Sequence, residues 1–306
     1  MKNGVFFFPA SIHRKRVIQI FTNFTGKIII LAELVKFEHT IFALPFAFIG
    51  LLIGSAGRPD FKTVLLVLAA MTGARTAAMG FNRLIDASID AKNPRTQNRA
   101  LPAGLISKTG VASLIVISLA VFFASAFAIN EVCFILSPLA VFLLLFYSYT
   151  KRFTSLSHFA LGLTLAVSPS AGYLAANTVL TLAPLVLSAA VLTWVAGFDI
   201  IYACQDIDFD KKEKLYSLPA VAGLGRSLIY SRLLHFFTVS CFILLGYLIA
   251  ARPVYYFFVA MCAALLIYEH FLLRGSNLKN VNAAFFNVNG SVSIAMFFAV
   301  LLNYWI

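Results

Sequence analysis

Charge is scarce in this chain. Of 306 residues only 12% are Asp, Glu, Lys or Arg, and acids are the scarcer sign, 12 against 24 bases. Soluble domains carry about twice that charged share, so a water-exposed globular fold is excluded. Cysteine is limited to Cys133, Cys204, Cys241 and Cys262, each alone in an apolar stretch. That spacing offers neither a disulfide framework nor a cysteine metal motif, and the four read as core filler. Period-two alternation, which a membrane β-barrel needs, is also missing. Residues 1–26 lack the order of a secretory signal, because His13-Arg14-Lys15-Arg16 follows Phe6 to Phe8 instead of preceding an apolar core. They read as a short basic tail.

What is present is apolar: 61% of the residues are hydrophobic. A helix needs about 20 such residues to cross about 30 Å of hydrocarbon. Windows of that kind lie near residues 28–54, 64–85, 110–130, 132–149, 157–177, 182–205, 233–251, 254–273 and 283–305. The expectation is an all-α integral membrane protein of about nine transmembrane helices, residues 27–306 forming one bundle, since an open sheet edge leaves backbone groups unpaired in lipid. Pro45, Pro138 and Pro169 fall inside these windows, where kinks are expected. With the amino terminus inside, the inner loops hold eighteen of the 24 Lys and Arg, and the outer loops only Arg58, Lys62 and Arg252. The positive-inside rule then places the tail and the acidic loops in the cytoplasm. The net charge of +12 needs no nucleic acid to explain it.

Seven of the twelve acids gather in two tracts that end apolar segments: Asp86 and Asp90 after Asn82, and Asp199, Asp206, Asp208 and Asp210 with Glu213 just beyond. Carboxylates near lipid are costly, so such clustering points to a cationic guest. On a helix, Asn82, Asp86 and Asp90 share one face at i, i+4 and i+8, and Asp199, Tyr202, Asp206 and Asp210 share another at i, i+3, i+7 and i+11. Asp208 falls off that face. Two opposed carboxylate faces suit Mg²⁺ bridged to a diphosphate, because Mg²⁺ takes one or two carboxylates plus phosphate oxygens. The adjacent Lys92, Arg95, Arg99, Lys151, Lys211 and Lys212 suit phosphate contact. Each tract is followed by a basic loop and then Leu-Pro-Ala, at Leu101-Pro102-Ala103 and Leu218-Pro219-Ala220, an echo that fits either duplication or a shared phosphate-facing requirement.

These residues carry a resemblance. Asn82-xxx-Asp86-xxx-Asp90, followed by Asn93-Pro94-Arg95-Thr96-Gln97-Asn98-Arg99-Ala100-Leu101-Pro102-Ala103-Gly104, is similar to the first signature of the UbiA superfamily of intramembrane aromatic prenyltransferases. Asp199-xx-Tyr202-Ala203-xx-Asp206-xxx-Asp210 resembles the second, and Tyr147-xxx-Lys151 the family's Tyr-xxx-Lys element. The resemblance covers roughly residues 28–305 and implies a bundle with a central cavity open to the cytoplasmic side of a bacterial inner membrane. It implies Mg²⁺-dependent transfer of a chain from polyprenyl diphosphate to an acceptor. Asp86, Asp90, Asp206 and Asp210 would hold metal. Asn82, Lys92, Arg95, Arg99, Tyr147 and Lys151 would meet diphosphate, and Asp199 would organise or activate the acceptor.

The expected acceptor is a hydroxylated aromatic carboxylate in respiratory quinone biosynthesis. A carboxylate needs a cation, and Lys36, Arg75 and Arg83 are the basic residues inside the spans. The stretch Gly73 to Arg83 looks closest to the 4-hydroxybenzoate polyprenyltransferase-like bacterial subgroup. Arg83, where those enzymes usually show Asp, and Ala100, where they usually show Pro, keep two further acceptors open: a dihydroxynaphthoate acid of menaquinone biosynthesis, then protohaem. A cation-coupled transporter is the alternative of a different class. Transport favours ionisable groups near the midplane, whereas these acids sit at helix ends beside basic loops.

Overall fold

The computed structural model describes residues 40–273 and 284–306, together with 30, 31, 33, 34 and 281. Among them the secondary structure is helical throughout, without strands. The helices are α1 Thr40–Gly54, α2 Phe61–Asp90, α3 Lys108–Ile129, α4 Glu131–Thr150, α5 Ser157–Ala176 and α6 Leu182–Ala203. A 3₁₀ turn at Cys204–Asp206 leads into two short helices, α7 Ile207–Lys212 and α8 Leu218–Ala222. Then come α9 Leu224–Leu248, α10 Pro253–Leu272, a π turn at Ala284–Val288 and α11 Asn289–Trp305. Among the described residues eight segments are long and apolar enough to cross a membrane, α6 running through to Lys212 and α11 starting from Phe286. The ninth expected span is represented by α1, at 15 residues too short to cross alone. Part of the expected 28–39 stretch, Lys36 included, lies outside the described residues.

The helices pack in sequence order from α2 to α6, then α6 on α9, α9 on α10, α10 on α11 and α11 on α1, which closes the bundle. Helix α5 lies inward, against α1, α4 and α6. Small residues make the α1–α5 contact possible. A Cβ at Gly172 would stand 1.9 Å from the Ala47 carbonyl oxygen, and one at Gly50 1.9 Å from that of Pro169. Such backbone-on-backbone packing is how helices associate where lipid supplies no hydrophobic drive. Gly172→Ala is therefore expected to destabilise the bundle by about 1–3 kcal/mol or more. A thermal unfolding scan in detergent checks this, and an unchanged midpoint would contradict the close approach. The three prolines sit inside continuous helices, Pro45 in α1, Pro138 in α4 and Pro169 in α5.

Beside this seam the main core collects Phe42, Phe46, Trp194, Phe198, Phe242 and Met296. A buried polar chain runs through it. Trp194 Nε1 donates to Asn289 Oδ1 at 2.7 Å, and Asn289 Nδ2 donates to Glu269 Oε1 at 2.8 Å. These bonds join α6, α11 and α10 by partners that lipid cannot supply.

Two boundaries differ from expectation, both to the benefit of the acidic tracts. Helix α2 outruns its apolar window and ends at Asp90, after which the chain turns at Ala91. The second tract does not continue as one α-helix. The 3₁₀ turn at Cys204–Asp206 tightens the winding before α7 resumes it.

Candidate active site

One cavity of about 820 Å³ runs through the bundle. One end is lined by Ile129, Cys133, Leu174 and Leu180, at the ends of α3 and α5, the start of α4 and the α5–α6 connection. The other is lined by Asp86, Asp90, Asp199, Asp206 and Asp210, where α2, α6 and α7 terminate. The long middle is apolar wall. A ligand filling it would have one strongly ionic end and one greasy tail.

The first tract is held by cations from two other segments. Asp86, 2% exposed, accepts from Lys151 Nζ at 2.6 Å and Arg152 Nη2 at 2.8 Å, both from the end of α4, and from Asn82 Nδ2 at 3.2 Å. Asp90, 5% exposed, receives Arg99 Nη1 at 2.8 Å on both oxygens. Burying a carboxylate without such partners would be costly. The loop that carries Arg99 is shaped locally. Asn93 Oδ1 accepts the Arg95 N–H at 2.9 Å, an Asx turn before Pro94, and Thr96 Oγ1 donates to the Asp90 carbonyl at 3.1 Å.

The same loop reaches the second tract. Arg95 donates to Asp206 through Nε at 3.0 Å and through Nη2, and its Nη1 donates to the Tyr202 hydroxyl at 2.8 Å. Asn93 Nδ2 donates to Asp206 Oδ1 at 3.2 Å. Desolvation lowers the Arg95 pKa most, but its hydrogen bonds to Asp206 and Tyr202 and their charges together outweigh that and hold the guanidinium above its ordinary value. The backbone N–H of Tyr216 donates to the Lys151 carbonyl at 2.7 Å, so the second loop also leans on the end of α4. On α6, Asp199 accepts from His158 Nδ1 at 2.6 Å.

Most residues singled out from the sequence meet at this cavity: Asn82, Asp86, Asp90, Arg95, Arg99, Tyr147, Lys151, Asp199, Asp206 and Asp210 line it, as do Arg75 and Arg83. Asp208 is exposed and off the wall, as its helical phase predicts. Lys92 also stands apart, in an exposed 2.6 Å ion pair with Glu213. Arg83 is buried, its Nε donating to the Leu34 carbonyl at 3.3 Å. Arg75 Nε is buried with no hydrogen-bond partner among the described residues.

The family model for UbiA prenyltransferases matches residues 43–301. The chain belongs to the UbiA prenyltransferase family. It is similar to a UbiA homolog from Aeropyrum pernix K1, at 33% identity and a TM-score of 0.79, over 87% of this chain and 98% of that one. A UbiA homolog from Archaeoglobus fulgidus bound to GPP and Mg²⁺ shares the fold, at 23% identity and a TM-score of 0.70, over 89% and 99% of the two chains. The 4-hydroxybenzoate octaprenyltransferases of Aliivibrio fischeri and Vibrio cholerae are 28% and 29% identical, covering 82% and 83% of this chain and 89% of each relative. This UbiA member is thus a multi-pass membrane prenyltransferase.

Three residues that touch the acidic groups escaped the sequence reading of this UbiA member: Arg152 on Asp86, Asn93 on Asp206 and His158 on Asp199. Arg152 adjoins Lys151 and Asn93 stands inside the first signature, so both had a local signal. His158 had none, because its partner is 41 residues away on another helix.

Proposed function

We propose that this enzyme transfers a polyprenyl chain from its diphosphate to a hydroxylated aromatic carboxylate, 4-hydroxybenzoate first, in respiratory quinone biosynthesis. The observation that carries the reading is the cavity: five carboxylates and the bases Arg95, Arg99 and Lys151 at one end of a channel whose remaining wall is mostly apolar. The diphosphate belongs at the ionic end and the polyprenyl tail along the wall. The names of the 28–29% identical relatives support the acceptor. The lysine and arginine asymmetry supports an ionic mouth facing the cytoplasm.

A divalent metal fits the donors of this mouth, which are hard oxygens. Among the described residues no three acidic, His or Cys side chains form a ready cage, so phosphate oxygens would complete the coordination. Mg²⁺ held by Asp86, Asp90, Asp206 and Asp210 would stabilise the charge growing on the leaving diphosphate. Lys151, Arg95 and Arg99, already in contact with those carboxylates, would turn their N–H groups to phosphate oxygens, with Asn82 and Tyr147 beside them. The C1–O bond breaks with its electron pair leaving on the diphosphate. An acceptor ring carbon then bonds to C1 and its ring proton is lost. Arg75 and Arg83, and Lys36 outside the described residues, are the cations for the acceptor carboxylate, and Asp199 meets its hydroxyl.

Purified protein in nanodiscs with a prenyl diphosphate, 4-hydroxybenzoate and Mg²⁺ is expected to release pyrophosphate and form prenylated product. EDTA should stop both, and added Mg²⁺ restore them. Product with a dihydroxynaphthoate acid alone would reassign the acceptor. No turnover with any aromatic acid would overturn this reading of the acceptor.

A further inference from the structure

We propose that His158 is the positioning residue for Asp199, locked in a single neutral tautomer by the backbone of the loop that follows the second acidic tract. This rests on the prenyl-transfer reading above. His158 is 2% exposed, lines the cavity from α5 and touches two groups. Its Nε2 receives the backbone N–H of Leu218 at 3.3 Å, and its Nδ1 stands 2.6 Å from Asp199 Oδ2. A nitrogen that accepts a hydrogen bond carries no proton, so the ring's proton is on Nδ1 and is donated to Asp199. Leu218 opens α8, where the first N–H groups have no partner within the helix, and one of them is spent on this imidazole.

The consequence for chemistry is orientation. With Oδ2 held by His158, Asp199 turns its second oxygen, which has no hydrogen-bond partner among the described residues, to the acceptor hydroxyl. The hydroxyl proton is then shared with a carboxylate fixed in place while ring electrons form the new C–C bond. His158 donates its hydrogen bond to Asp199, whereas the cations facing diphosphate pair with Asp86, Asp90 and Asp206.

Two substitutions separate the ring nitrogens. Asn places an amide N–H near the position of Nδ1, whereas Gln reaches that of Nε2. His158→Gln should lower kcat by about 10²-fold with donor KM within about threefold, and His158→Asn should recover most of it. Leu218→Pro suits the extended Ser217 (φ −104°, ψ 152°) and a helix start, but it replaces the N–H by a ring methylene aimed at the imidazole, so it removes the contact and displaces the ring together. It should lower kcat by at least about tenfold, because the imidazole loses both its tautomer lock and its seat. Equal loss in the Asn and Gln variants, or wild-type kcat in Gln or Leu218→Pro, would overturn the proposal. If the Gln variant does not fold, the Asn variant measured against His158→Ala decides it, and equal loss in those two would overturn the proposal. A wild-type protein without turnover on any aromatic acid would instead remove the prenyl-transfer reading, and this proposal with it.

Discussion

Asp86→Asn is expected to lower kcat for prenyl transfer by about 10³-fold while leaving a folded, monodisperse protein. The side chain keeps its size, so the buried end of α2 stays packed, but an anionic ligand for metal is lost. Lys151 and Arg152, which Asp86 now neutralises at 2.6 and 2.8 Å, are left with surplus positive charge facing the diphosphate. Donor KM should therefore stay level or fall as kcat collapses. That pattern marks an interaction made in the transition state, not one that merely binds substrate. Asp206→Asn should behave alike, because it frees Arg95 in the same way. Steady-state pyrophosphate release over a range of donor concentrations measures both. Near-normal kcat in both variants would end the metal-clamp assignment.

Arg75→Met should raise the acceptor KM by about 10- to 100-fold and leave the donor KM within about twofold. A charge-assisted hydrogen bond to a carboxylate contributes about 1.5–3 kcal/mol, which corresponds to that range. Arg75 lies eleven residues before Asp86 on α2, three turns or about 16 Å deeper in the cavity. At that depth it lies beyond the carboxylates, with Tyr147 between it and Asp86. Its Nε is buried without a partner among the described residues, a cost that a bound carboxylate would relieve. Replacement by an unbranched apolar chain should accordingly hold or raise the thermal unfolding midpoint. Equal changes in the KM of both substrates would make Arg75 a phosphate contact.

The donor half of the site was legible because its signals are local. Asn82, Asp86 and Asp90 recur at helical spacing on one segment, and their side chains share a face wherever that segment sits. The second tract was legible for the same reason, although the 3₁₀ turn at Cys204–Asp206 breaks the helical winding. The turn brings Asp206 to Arg95 through contacts that no single-helix geometry contains. Lys92 illustrates the converse. Its neighbours Asn93 and Arg95 reach Asp206, yet one residue of turn aims Lys92 outward to Glu213.

By itself the sequence determined the membrane class, the number of apolar segments to within the short α1, and the two acidic stripes, because hydropathy and helical periodicity are properties of neighbouring residues. Only the tertiary structure decided which cation answers which carboxylate, that Arg75 keeps a buried donor unpaired, and that His158 stands between Asp199 and Leu218. Those contacts, Arg99 with Asp90 aside, join residues 41 to 121 positions apart, or leave one without a partner among the described residues. Such outcomes depend on how the helices cross, which no local pattern encodes.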